Sequence, residues 1–178
     1  MSLNTPYATL SFANLFSPRP RTQGAEPVYN CSLIFDEKQQ KDPLFKALKD
    51  GCVAAAKKKF GDNVNLKTIE MPFKDAGEKE YQGYHPGHVY ISPWSKQKPG
   101  IVDARRQEIQ LPEQVWSGQL VRGNVNPFAW ERSGKRGVSF GLNHIQIVKS
   151  DGRQRLDGKP TAEAAFDDGL VSEDEGIF

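Results

Sequence analysis

Residues 7–16, YATLSFANLF, alternate: Ala8, Leu10 and Phe12 fall on one side, Tyr7, Thr9 and Ser11 on the other. A period of two predicts a β-strand with one buried face. The Pro/Gly-rich loop SPRPRTQGAEP, carrying Arg19 and Arg21, leads into a second predicted strand over 28–35, with Tyr29, Cys31, Leu33 and Phe35 on one face. The period then changes. In residues 42–61, DPLFKALKDGCVAAAKKKFG, Leu44, Leu48, Cys52 and Ala55 recur at helical spacing. Asp42 is placed to cap the first-turn amides, and Pro43 suits the first helical position. Lys57, Lys58 and Lys59 complement the dipole of the last turn, and Gly61 offers a left-handed stop.

Residues 71–86, MPFKDAGEKEYQGYHP, follow neither period. HVYISPWSKQKPGIVDARRQEI then reads as a strand, a basic turn and a short strand. QLVRGNVNPFAW and RGVSFGLNHIQIVK read as two more, joined by ERSGKR. There is no internal repeat. From Gly152 periodicity is lost, which divides the chain into a body, 1–151, and a flexible acidic tail, 152–178. Five or more strands, one helix at about 42–60 and Gly-rich turns predict a mainly β protein, an antiparallel Greek-key barrel of the OB-fold kind with one inserted helix. An immunoglobulin-like sandwich accommodates the helix less economically.

The side of these strands that faces away from the core has an unusual composition. In QLVRGNVNPFAW, Val121 and Val125 share one side, while Arg122, Asn124, Asn126, Phe128 and Trp130 share the other. In HVYISPW, Val89 and Ile91 oppose His88, Tyr90, Ser92 and Trp94. A simple solvated face carries Lys, Glu and Thr in place of large rings. Basic residues flank both strands: Lys96 and Lys98, Arg105 and Arg106, then Arg132, Lys135 and Arg136. Binding a single nucleic-acid strand calls for this combination, because unpaired bases stack on aromatic rings and phosphates need adjacent cations. Tyr90, Trp94, Phe128 and Trp130 are therefore candidate stacking platforms. Lys96, Lys98, Arg105, Arg106, Arg122, Arg132, Lys135 and Arg136 are candidate phosphate partners. If a second layer covers that face, the same aromatics are its filling.

Net charge sharpens this picture. All 24 Lys and Arg lie at or before Lys159, against 16 of the 22 Asp and Glu, so residues 1–159 carry +8 and the six acids in residues 160–178 make that end −6, although the whole chain is only +2. An acidic segment tethered to a basic body is a ligand for that body, at an effective concentration in the millimolar range. Its acids are Glu163 and, closer to the end, Asp167, Asp168, Glu173, Asp174 and Glu175. Ile177 and Phe178 suit an apolar anchor for a partner protein.

Other chemistry is sparse. Cys31 and Cys52 lack C-x-x-C spacing and read as reduced, buried thiols. Asn30-Cys31-Ser32 matches a glycosylation sequon by chance, and the N-terminus lacks the basic start and apolar run of a secretory signal, which predicts a cytoplasmic location. No apolar run approaches the roughly 18–20 residues of a membrane span. His85 and His88 lie three apart without further ligands nearby, and no phosphate-loop or nucleophile-elbow motif occurs. The chain does not read as an enzyme, and no metal or cofactor is expected.

The order of these parts resembles the bacteriophage single-stranded DNA-binding proteins, an OB-fold body ending in an acidic tail with a terminal aromatic. The resemblance runs from TPYATLSFANLF through GLNHIQIVK, and SEDEGIF is similar in kind to the replication-protein tail of short-tailed coliphages. It implies sequence-independent coating of single strands in replication and recombination, in the host cytoplasm. It also implies a tail that competes with DNA and recruits replication or recombination proteins, on a monomer or weak homo-oligomer. One departure is evident: the helix follows the second strand, whereas the familiar OB arrangement places it between the third and fourth. The rival readings are a metal-dependent phage nucleic-acid enzyme using His85 and His88, and an adaptor whose barrel binds protein.

Overall fold

The computed structural model describes residues 1–157. Among these, ten strands and one α-helix occur: β1 (Leu3–Asn4), β2 (Ala8–Pro20), β3 (Pro27–Phe35), α1 (Pro43–Phe60), β4 (Ile69–Glu70), β5 (Lys74–Asp75), β6 (Val89–Ile91), β7 (Trp94–Ser95), β8 (Gly100–Val102), β9 (Leu120–Arg132) and β10 (Lys135–Lys149). Five of them close a ring. β2 pairs antiparallel with β3, β3 with β7, β10 with β9, and β9 with β2. The ring is completed by a parallel bridge between β7 and β10, Trp94 to Gly141. The predicted barrel is therefore present, and α1 falls between its second and third walls, as the sequence indicated.

A ring this small is filled by side chains. Leu10, Leu33, Phe35, Ile91, Ile101, Val121, Val125, Phe140 and Ile145 are all fully enclosed. α1 packs on this core through Phe45, Leu48, Cys52 and Ala56. The expected stripe is thus rotated slightly: Phe45 and Ala56 replace Leu44, which stays exposed, and Ala55, which is half-buried. Phe35, Phe45, Phe73 and Phe140 form a chain of edge-to-face contacts, with centroids 5.2, 5.5 and 5.8 Å apart. The helix ends are those read from the sequence. The Asp42 carboxylate accepts from the Leu44 amide at 2.8 Å, and Gly61 stops the helix at φ 100°.

Two local expectations fail. β2 is irregular between Ser11 and Asn14, so Phe12, at φ 47°, turns outward beside Ser11 and is 49% exposed, while Ser11 itself is buried opposite Ser32. Strict alternation had put Phe12 in the core. The chain also stays tied to the barrel beyond Gly152. The Arg153 guanidinium donates to the Gly118 carbonyl at 2.9 Å and to Thr9 Oγ1 at 2.7 Å, and the Leu156 amide donates to the Ser117 carbonyl at 2.8 Å. The acids and apolar residues assigned to the tail, Asp167 to Phe178, lie outside the described residues.

Cys31 and Cys52 are free and buried, and burial pushes both thiols up from 9.0 to about 12. A thiol reagent at neutral pH is therefore expected to leave both unmodified until the chain unfolds. The unfolded thiols ionise near 9 while the folded ones hold their protons to about 12. Rising pH between those values thus favours unfolding, and the urea midpoint is expected to fall above pH 9. Rapid labelling of the native protein would contradict this packing.

Candidate nucleic-acid interface

β9 keeps its alternation across the barrel wall. Val121, Gly123 and Val125 face the core, and Arg122, Asn124, Asn126, Phe128 and Trp130 occupy the outer side, each half-buried. In β10 the inward residues are Val138, Phe140 and Leu142, leaving Gly137, Ser139 and Gly141 on the outside. The register sets Trp130 opposite Gly137, Phe128 opposite Ser139 and Asn126 opposite Gly141. β7 adds Trp94 on the far side of Gly141, with Asn30 of β3 as its other neighbour.

This placement brings three rings together. Trp94 and Phe128 meet edge to face, with centroids 5.9 Å apart and planes at 77°. Trp130 lies over Gly137 so closely that a Cβ there would sit 2.3 Å from the indole. Its ring N–H donates to Ser139 Oγ at 2.9 Å, which fixes its orientation. The three rings line one open cavity of about 330 Å³ together with Arg21, Lys74 and Arg132. The Arg21 guanidinium stands 5.6 Å from the Trp94 ring centroid. Desolvation draws its pKa down from the ordinary value, but a guanidinium in a protein stays charged.

Tyr90 does not join them. It is 7% exposed and packs with Ile34, Ala76 and Tyr84, 5.2 Å from the Tyr84 ring. Burial pushes the phenols of both tyrosines up from 10.0. The cause is tertiary: β5 pairs with β6, and the chain from 74 to 88 lays a second layer over this part of the sheet. The candidate stacking set is corrected to Trp94, Phe128 and Trp130.

The basic residues fall into two groups. At the hairpin end, Arg132 and Lys135 flank the two-residue turn Ser133-Gly134, and neither has an acidic partner among the described residues. Arg136 is more committed, pairing with Glu131 at 2.7 Å and lying 4.7 Å from the Phe60 ring centroid. Lys98 stands over Phe16 at 4.7 Å, and Lys96 pairs with Glu26 at 3.3 Å on the surface, where such a pair is weak. Arg122 lies eight residues along β9 from Trp130, roughly 25 Å at the rise of a strand. It faces Gln146, whose amide donates to the carbonyls of Asp103 and Ala104 and so holds the exposed turn bearing Arg105 and Arg106. The structure therefore does not gather these three arginines around the aromatic cavity.

Sequence reasoning missed Arg21 and Lys74. The signal for Arg21 was available, because the loop after the first strand of such a barrel borders its binding face. Lys74 reaches the cavity only through the non-local pairing of β5. His85 and His88 stack edge to face at 5.3 Å, and among the described residues no group of three or more His, Cys, Asp or Glu converges on a metal-sized site. Among the described residues no helix is long and apolar enough to cross a membrane.

A family model described as the single-stranded DNA-binding protein of Enterobacter phage Enc34 matches residues 1–177. The chain belongs to that family. The resemblance read from the strand pattern and tail is thus borne out, and the family is one of binding proteins, not enzymes. The structure of the Enc34 protein in complex with single-stranded DNA is similar to this one, at TM-score 0.71 and 17% identity, covering 85% of this chain and 88% of that one. Another structure of the Enc34 single-stranded DNA-binding protein is similar at TM-score 0.67 and 16% identity, over 95% of this chain and 88% of that one. The bacteriophage T7 gp2.5 single-stranded DNA-binding protein is similar at TM-score 0.57 and 16% identity, over 83% and 91%. At these identities the likeness establishes the shared fold. No curated protein sequence matches the chain.

The contact between Trp130 and Gly137 gives a direct test of the site within this family's barrel. Gly137→Ala is expected to displace the indole and break its bond to Ser139, shifting the tryptophan emission toward that of a solvated ring. An unchanged spectrum would mean that Trp130 does not rest on Gly137.

Proposed function

We propose that this protein coats single-stranded DNA without regard to sequence; single-stranded DNA binding is what its family and its structural neighbours are named for. The observation that carries the proposal is the open cavity where Trp94, Phe128 and Trp130 stand on the outer barrel face beside Arg21, Lys74 and Arg132. Rings supply stacking surfaces worth about 1–3 kcal/mol per base, which every base can use. The cations supply phosphate neutralisation. A duplex hides its base faces, so this cavity favours single strands. Arg122, Arg105 and Arg106, at the other end of the β9–β10 ribbon, fit a strand that continues along it.

The role in replication and recombination, in the host cytoplasm, belongs to the same proposal. So does the division into a DNA-binding body and an acidic tail. Asp167, Asp168, Glu173, Asp174 and Glu175 would occupy the cationic groove when DNA is absent. Released by DNA, they and Ile177 and Phe178 would engage replication or recombination proteins.

Binding of a labelled oligonucleotide tests the central claim. Single strands are expected to bind much more tightly than duplex, with an affinity that falls as salt rises. Trp94→Ala, Phe128→Ala and Trp130→Ala should each cost about 1–3 kcal/mol of binding, while Tyr90→Phe should cost nothing. Arg132→Ala should lessen the salt slope by about 0.7, the share of one phosphate on a single strand. Absence of binding at low salt would sink the proposal. The tail is tested separately: truncation after Asp157 should tighten binding at low salt, and equal affinity with and without the tail would refute self-competition.

A further inference from the structure

Phe12 stands outside the barrel by way of two irregularities. The bulge in β2 rotates it off the core face, and its φ of 47° lies in the left-handed region that bulky residues avoid. Strain of this kind persists only where the surroundings hold it, and it gathers at functional sites. The ring it exposes is braced. Tyr81 meets it edge to face at 5.0 Å and is itself 52% exposed. Tyr84 lies beneath at 6.2 Å, its hydroxyl hydrogen-bonded to Ser11 and Ser32. Asn14, Gln82 and Trp116 complete a second open cavity of about 510 Å³.

This second aromatic site is continuous with the first. The Asn14 side-chain amide donates to Asn30 Oδ1 at 3.1 Å, and Asn30 is the register partner of Trp94. The hydroxyls of Ser32 and Ser92 lie 3.3 Å apart, and Ser92 lines the Trp94 cavity. Small polar side chains thus bridge the outer face from β7 across β3 to β2. At the usual strand spacing, Trp94 and Asn14 are about 10 Å apart. The rings are bordered by the amides of Asn14 and Gln82 and the hydroxyls of Ser11 and Ser117, and also by the apolar Val115 and Leu156, with Asp157 the one acid; that mixture suits a base, with its apolar faces and hydrogen-bonding edge.

We propose that Phe12 and Tyr81 form a second stacking platform, which takes a base of the same DNA strand beyond those held at Trp94, Phe128 and Trp130. This rests on the single-stranded DNA reading above. The strand then crosses the barrel from the β9–β10 hairpin, over Asn30 and Asn14, to the bulge in β2.

The test compares two oligo(dT) lengths near the ends of the range for one such barrel, about four and about sixteen nucleotides. Phe12→Gly removes the ring while suiting the backbone, since glycine takes positive φ without strain. Tyr81→Ala removes its brace, and Trp94→Ala serves as the reference. Phe12→Gly and Tyr81→Ala should each weaken the longer oligonucleotide roughly 5- to 100-fold. They should leave the shorter one unchanged and melt close to the parent protein. Trp94→Ala should weaken both lengths. Parental affinity of Phe12→Gly for the longer strand, alongside loss by Trp94→Ala, would overturn the second platform and leave the DNA reading standing. Equal loss at both lengths, or a large drop in melting temperature, would assign Phe12 to the fold and also overturn it. A parent protein that binds neither length would overturn the reading on which the inference rests.

Discussion

Closure of the barrel depends on the short strand β7, in which Trp94 and Ser95 pair with β3 on one side and Trp94 meets Gly141 of β10 on the other. Apart from that bridge, the same edge of β3 meets only β6, and the same edge of β10 meets only β4 and β8, so β7 is what joins the two walls. Five walls leave an interior just large enough for Leu10, Leu33, Phe35, Phe140 and their neighbours, so nothing can bind inside. Binding chemistry must sit on the outer face, and the same bridge that shuts the ring sets Trp94 beside Phe128 there.

β10 makes room for that arrangement. Its inward residues Val138, Phe140 and Leu142 are bulky, while its outward residues Gly137, Ser139 and Gly141 are among the smallest available. Glycine weakens a strand because it adds backbone entropy and packs nothing. Here the missing side chains leave a shallow floor on which the rings of β9 and β7 stand. A Cβ at Gly137 would strike Trp130, and one at Gly141 would meet the Asn126 amide at 2.8 Å. The glycines of GVSFGLN are therefore part of the interface as much as the aromatics are.

What could be read from the sequence divides along local and non-local lines. The alternation of β9 was legible because Val125 to Arg132 keep one register against β10, and the two shifts beyond them skip residues of β10 and none of β9. The helix was legible because Asp42, Pro43 and Gly61 act within a turn of themselves. Tyr90 misled because its partners, Ala76 and Tyr84, arrive from a segment with no periodicity of its own. Phe12 misled for the opposite reason: its neighbours alternate well, and a single bulge inverts the pattern. Arg21 is brought to Trp94 by a loop whose composition only marks it as a loop.

The polar groups of the outer face bear on whether a bound strand could be read base by base. Sequence readout needs donors and acceptors free to meet base edges. Here many are already engaged with one another. Asn14 donates to Asn30, Asn143 to Asn124, Asn124 to Asn4, and Trp130 to Ser139. What the surface chiefly offers a ligand is ring faces and cations, and neither distinguishes one base from another except through stacking strength. Between the two aromatic sites the Asn14–Asn30 pair leaves the floor polar without committing it to a base. A groove organised in this way suits a protein that must cover whatever single strand it meets, and its affinity is set by how many bases and phosphates it spans.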